Sequence, residues 1–484
     1  MRAKFLRLLV LSSFILVGCN NPFKKGEPQV EPEQQQSGDQ GGGEQGGGEQ
    51  GGGEQTPTDT HLQKKVNVKM EALLKNSSTP YNVEFDYDDN LFLKDAEVYD
   101  KDLSMLSLGA AISATYEDWA KDFLRDCEFN DALSHQMDIE PTEDSLGYTL
   151  GHKSIDNSEL FAVMVRGHEY KREWANNFII GETGDHEGWL ARVTELNTSL
   201  STYINQYKDE KTVRLWMVGY SRAGAISNML ASLILRTDGI NVNPKNMFVY
   251  TFEAPAGLTE EHAHQYANVH NIVNSADIVT YIPPTQYGLH RAGVDFEIYD
   301  INFGTYVTQF DSSITVPDWV PCNSSDFGGN TISNDVDLTQ YLINDLFSQK
   351  VSSTATAHNR ESYVANYQSG LSYTIGILFA LSPNSRSQIL ANTTSLAMTI
   401  YFDSDGSQLA NTLKPYLNVD GVSYTDSELV AACAVFEKAF INLFGTIIGI
   451  YMSSTYSSNL TRILDMHYPE VTYCLLKNAN SKLA

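Results

Sequence analysis

Val213-Arg-Leu-Trp-Met-Val-Gly-Tyr-Ser-Arg-Ala-Gly-Ala-Ile-Ser-Asn-Met-Leu-Ala231 places a lone serine between an apolar strand and a helix. Val213 to Val218 is a short apolar run, and Gly219-Tyr220-Ser221 turns it sharply. The spacing beyond predicts a helix from Ala223 to Leu235. Small residues at 219, 223 and 224 suit a close crossing of strand and helix. A serine hydroxyl is a weak nucleophile on its own. It needs an exposed, strained turn that lifts Oγ toward a histidine, and a helix N-terminus behind it to meet the developing oxyanion. The string is G-x-S-x-A-G and departs from strict G-x-S-x-G at Ala223, so a plain strand-turn-helix is the alternative until its neighbours are read.

Strands and helices alternate around this stretch from about residue 147 to 300. Glu159–Val165 reads as a buried strand, Gly188–Tyr207 as an amphipathic helix, Met247–Phe252 and Val269–Val273 as strands, and Glu260–Tyr266 as a helix between them. This order implies a mostly parallel, helix-covered sheet, hence an α/β fold. Residues 67 to 146 read as N-terminal helices, most clearly Leu103 to Asp126, and residues 335 to 484 as predominantly helical. Ala439 to Met452 is strongly apolar but too short for a bilayer, so a buried helix is favoured over a membrane insertion.

The front of the chain speaks to address. Arg2, Lys4 and Arg7 precede the apolar run Leu8–Val17 and then Leu16-Val17-Gly18-Cys19. That is the pattern of a bacterial signal peptide ending in a lipobox (residues 1–19), with Cys19 as the lipidated residue; an ordinary cleaved signal with an incidental cysteine is the alternative. Residues 20–61, with three GGGEQ repeats from Gly41 to Gln55, have the composition of a solvated tether. The expected location is therefore the cell envelope, outside the cytoplasm. A formal charge of −27 with no basic cluster in the body argues against nucleic acid. Cys127, Cys322, Cys433 and Cys474 are too widely spaced for a metal site, and their pairing is not deducible.

Four further segments carry the chemistry. Arg166-Gly167-His168-Glu169 follows the first buried strand, and Trp174-Ala-Asn-Asn-Phe178 comes next. Phe252-Glu253-Ala254-Pro255 follows the strand after the serine, and Asn271-Ile-Val-Asn-Ser-Ala-Asp277-Ile-Val-Thr-Tyr-Ile-Pro283-Pro284 closes the series. With these in order the chain resembles the class 3 (fungal-type) lipase family of the α/β-hydrolase superfamily over roughly residues 100 to 300. Its Gly-Tyr-Ser-Arg form is most similar to a bacterial, Firmicute-type branch carrying lipoproteins. The resemblance implies Ser221 as nucleophile, Asp277 as triad acid, and an oxyanion hole at His168 and Arg222 built largely from backbone amides. His168 stands where the family has Ser or Thr. Residues 169–178 match the family's lid, with a fixed surface helix as the alternative.

The general base must follow Asp277 in this chain order. His290 comes too soon after the acid. His358 precedes a predicted helix at Arg360. His467 precedes Pro469-Glu470, a good helix start. The role stays open between His358 and His467, with His467 preferred. The expected organisation is then a hydrolase core over 62–300, a mainly helical insertion or cap over 301–460, and a C-terminal segment over 461–484. The reading is a serine hydrolase of carboxylic esters, favouring lipid acyl esters, with no metal or organic cofactor implied. An esterase of acylated polysaccharides and a non-catalytic surface binding protein are the alternatives.

Overall fold

Along the strand that precedes the serine, Leu215 and Met217 are buried with one set of apolar residues, and Trp216, Val218 and Tyr220 with another. A strand's side chains alternate between its two faces, so a strand buried on both faces must be central and covered on each side. The computed structural model describes residues 61–75, 77–137, 145–168, 171–347, 359–382, 385, 388, 405–452 and 455–479. Cys19, the GGGEQ repeats and His358 lie outside the described residues.

The described strands are β1 (Gln63–Ala72), β2 (Ser77–Asp88), β3 (Asn130–His135), β4 (Tyr148–Ile155), β5 (Ser158–Val165), β6 (Thr212–Tyr220), β7 (Met247–Phe252), β8 (Leu258–Thr259), β9 (Val269–Val273), β10 (Leu289–His290) and β11 (Val294–Glu297). A seven-stranded sheet runs in the order β11-β9-β7-β6-β5-β4-β3. From β11 through β5 the neighbours are parallel, and β4 and β3 continue antiparallel. This is the mostly parallel, helix-covered α/β sheet that the strand–helix alternation implies.

Helices cover both faces. On one lie α3 (Glu187–Tyr207) and α4 (Arg222–Arg236), whose Leu196, Leu200, Ile226 and Leu230 pack on Phe161, Leu215, Met217 and Val249. On the other lie α1 (Lys101–Ser113) and α2 (Glu117–Asp126), which put Leu103, Leu106 and Phe123 against Trp216, Phe248 and Tyr250. The later chain contributes α5 (Phe303–Phe310), α6 (Asp335–Phe347), α7 (Ser369–Ala380), α8 (Ser407–Val419), α9 (Asp426–Met452), α10 (Ser457–Asp465) and α11 (Pro469–Asn478). No described helix is long and apolar enough to cross a membrane. Cys127, Cys322, Cys433 and Cys474 all carry free thiols, so none of the four pairs with another.

Two expectations fail. Within residues 67–146, expected to be helical, 67–88 belong to the antiparallel β1–β2 hairpin and Asn130–His135 is strand β3. Val66, Val68 and Met70 alternate with exposed polar residues, a period of two that only a strand presents as one apolar face. Glu260–Tyr266 is turn and coil, not helix. Its backbone is held from outside: Ser232 Oγ donates to His262 O, and Asp185 holds the His262 ring, so tertiary contacts override local propensity.

Candidate active site

Ser221 has φ 56° and ψ −128°, a conformation that L side chains rarely adopt. The turn is held by its own N–H, which donates to Phe252 O at 2.8 Å. Strand and helix then cross so closely that a Cβ on Gly219 would lie 2.3 Å from Ala223 O, and one on Gly224 2.8 Å from Ala254 Cβ. The small residues at these positions are required by that approach. The result raises Oγ at the N-terminus of α4, where the first backbone N–H groups have no partner within the helix.

Asp277 sits past the end of β9 and is fully buried. Its Oδ1 accepts from Val279 N at 2.9 Å, capping a short 3-10 turn, while Oδ2 lies 2.5 Å from His467 Nδ1. His467 is in the short link between α10 and α11, with Pro469 opening the last helix. Its Nε2 is 2.8 Å from Ser221 Oγ. A carboxylate at Nδ1 fixes the proton there and leaves Nε2 as the acceptor facing the hydroxyl. Ser221, Asp277 and His467 thus come together from three distant parts of the chain. His290 instead pairs with Leu258 in the β10–β8 ladder.

Gly167 lies against the same turn, with room for no Cβ, because one would meet Tyr220 O at 2.2 Å. This brings His168 to the same cavity as Ser221. The His168 ring is 2.7 Å from Glu71 Oε2, so the end of the β1–β2 hairpin forms one wall of the site. Burial works against ionisation of Glu71, yet its carboxyl is held below the usual range by the His168 charge and by hydrogen bonds from His168 and Tyr116. Leu73, Ile112, Trp174 and Tyr468 complete a cavity of about 50 Å³ at Ser221.

Arg222, the residue after Ser221, is 1% exposed, and its Nη1 donates to Glu173 Oε2 at 2.6 Å. Arg166 Nη2 donates to the other oxygen of the same carboxylate at 2.6 Å, and Ser145 Oγ donates to it at 2.7 Å. One fully buried carboxylate therefore joins the end of β5 at Arg166, the start of α4 at Arg222 and the 171–178 segment. That segment is a 3-10 helix (Lys171–Phe178), and Trp174 within it stacks on Phe379 of α7 with ring centroids 5.9 Å apart. Glu173, Trp174, Ala175, Asn176 and Phe178 are buried, so this stretch faces inward. Glu71 and Glu173 were missed in the sequence. The one signal for Glu173 is an acidic residue immediately before a tryptophan in a segment otherwise expected at the surface. Among the described residues, no group of three or more His, Cys, Asp or Glu side chains is arranged to hold a metal ion.

Comparison with known proteins gives consistent partial matches. A family model described as lipase (class 3) matches residues 159–287. A lipase of Rhizomucor miehei is 25% identical over 159 residues, which is 30% of this chain and 43% of that lipase. The chain thus matches less than half the length of that relative. Among solved structures, a triacylglycerol lipase described as having a serine-protease triad as its catalytic centre is 18% identical, with 41% of this chain and 78% of the other covered and a TM-score of 0.32. A lipase from Rhizopus microsporus var. chinensis is 16% identical, with 41% and 75% covered and a TM-score of 0.30.

Proposed function

We propose that the chain is a carboxylic ester hydrolase of the class 3 lipase family, acting on lipid acyl esters through an acyl-enzyme. One observation carries this reading: His467 bridges Ser221 Oγ at 2.8 Å and Asp277 Oδ2 at 2.5 Å. A hydroxyl, a base aimed at it and a carboxylate holding the base are what nucleophilic acyl transfer requires. Ser221 attacks the ester carbonyl while His467 Nε2 takes its proton. The oxyanion is met by the backbone N–H groups of His168 and Arg222, and His467 returns the proton to the leaving alcohol. Water then repeats the sequence to release the acid and restore Ser221. Asp277 holds the Nδ1 proton and stabilises the imidazolium formed at each transfer. The lipobox pattern supports an extracytoplasmic protein anchored through lipid on Cys19.

A second reading is favoured by the cavity. Some 50 Å³ at Ser221, with Trp174 in its lining, is a size suited to a short acyl group such as those esterified to polysaccharides. A chain-length series of p-nitrophenyl esters tests both. Rates that rise toward long chains, and more steeply above the substrate's aggregation limit, support the lipase reading. Rates confined to acetyl and propionyl esters support the short-acyl esterase. No hydrolysis of any member would overturn both.

A further inference from the structure

We propose that Glu253, as a neutral acid, is a positioning residue that ties together the three segments carrying Ser221, Asp277 and His467. It follows β7 directly and is fully buried at φ 49°, a backbone position that glycine occupies without strain and glutamate does not. Its contacts show what the side chain does there. Oε2 accepts from Asn274 N at 2.9 Å, in the loop that leads to Asp277. Oε1 is 2.9 Å from Thr472 Oγ1, in the helix that follows His467. Thr472 Oγ1 is in turn 2.8 Å from the hydroxyl of Tyr220, the residue before Ser221. The Tyr220 hydroxyl donates to His467 O at 3.1 Å.

As placed, Thr472 Oγ1 donates to Glu253 Oε1, the direction an ionised Glu253 would take; counting hydrogens along the whole chain points instead to a neutral Glu253. A phenol and an alcohol each carry one hydrogen. Tyr220 gives its hydrogen to the His467 carbonyl, so Thr472 must give its own to Tyr220. The third link, between Thr472 and Glu253, then needs a hydrogen from Glu253. A carboxylate would draw the Thr472 hydrogen to itself and turn the Tyr220 hydrogen onto Thr472. The His467 carbonyl would then lose its donor. Only the protonated acid satisfies all three links and still presents a carbonyl oxygen to Asn274 N–H. The charged and titratable groups facing Glu253 are Asp277, Arg291 and Tyr220. Burial first and the Asp277 charge second push its carboxyl well above the usual range, in agreement with the count. Glu253 touches none of the reacting atoms and acts through His467 and Asp277.

The inference rests on the ester-hydrolase reading, and its test separates the two. Glu253→Gln keeps an acceptor for Asn274 N–H and a donor for Thr472, so it mimics the neutral acid and not the anion. Glu253→Leu and Thr472→Val break the chain. We expect kcat on a p-nitrophenyl ester to fall about tenfold or more in the Leu and Val variants, with KM little changed, and to stay within about threefold of wild type in the Gln variant, because small displacements of a catalytic group are costly. In the same variants the hydrogen-bonded Nδ1 proton of His467, followed by NMR, should shift with Leu and Val and hold with Gln. This second readout does not depend on turnover, and Thr472→Val serves if Glu253→Leu fails to fold. A Gln variant as impaired as the Leu variant would show that the anion is the working form and overturn the proposal. Wild-type kcat and an unmoved Nδ1 proton in Thr472→Val would overturn it equally. A wild type without activity or fluorophosphonate labelling, but with the predicted proton shifts, sinks the hydrolase reading alone.

Discussion

The Glu173 carboxylate accepts from Arg222 at 2.6 Å with both side chains sealed from solvent, so the residue beside Ser221 is fixed by the 171–178 segment. Arg166 occupies the other oxygen of that carboxylate. Breaking a buried pair by removing one partner leaves charge without compensation, at about 3–5 kcal/mol. Glu173→Ala leaves two such guanidinium groups and should destabilise the protein by at least that amount in urea unfolding. A loss below about 1 kcal/mol would mean that water reaches the pair and that the segment is not locked.

Backbone strain at the nucleophile gives a second outcome. Ser221 at φ 56° lies where an L side chain costs roughly 1–2 kcal/mol and glycine costs little. Ser221→Gly and Ser221→Ala should both lack ester hydrolysis, but the Gly variant should be about 1 kcal/mol more stable than the Ala variant. Urea midpoints compare them directly, and equal midpoints would remove strain from the account.

The sequence around these residues was legible where the signal is local. The switch from a period of two to a helical period at Ser221 is contained within 213–231, and Asp277 and His467 each stand at a strand end or helix start. The hairpin of residues 63–88 was misread although Val66, Val68 and Met70 alternate as a strand requires. Glu173 carries no local mark of burial: it is a charge in a loop-like segment, and its partners Ser145 and Arg222 lie 28 and 49 residues away. Glu253 carries no local signal, since its contacts depend on Thr472 and Tyr220 arriving from elsewhere in the chain.

Stability should fall as pH rises above neutrality. Glu470 is fully buried, its Oε1 accepts from Leu74 N, and burial pushes its carboxyl up to about 8 from an ordinary 4.5. A raised acid is protonated in the folded state and ionised in the unfolded chain between those values. Its cost to folding is absent below about 4.5, grows with pH, and is complete above about 8. His186 acts in a different window: burial lowers it to about 3 from 6.5, so its effect raises stability up to pH 6.5 and then ends. Between pH 6.5 and 8 the wild type should therefore lose about 2 kcal/mol through Glu470. Glu470→Gln, which keeps an acceptor for Leu74 N–H, should remove Glu470's share of this limb in thermal unfolding and leave the share of Glu253, whose carboxyl is also raised by burial. An unchanged slope would place the titration elsewhere.

The base is tested by kinetics. His467→Ala should lower kcat/KM by about four orders of magnitude, and adding Ser221→Ala should cost little more, because members of a triad act as a unit. Additive losses would show that His467 acts apart from Ser221.

The most direct test of the central claim is covalent labelling by a fluorophosphonate probe, with the modified peptide located by mass spectrometry. The account predicts one adduct, on Ser221, in the wild type, and none in Ser221→Ala or in folded His467→Ala. A label that persists in Ser221→Ala, or that maps to another serine in the wild type, would contradict it.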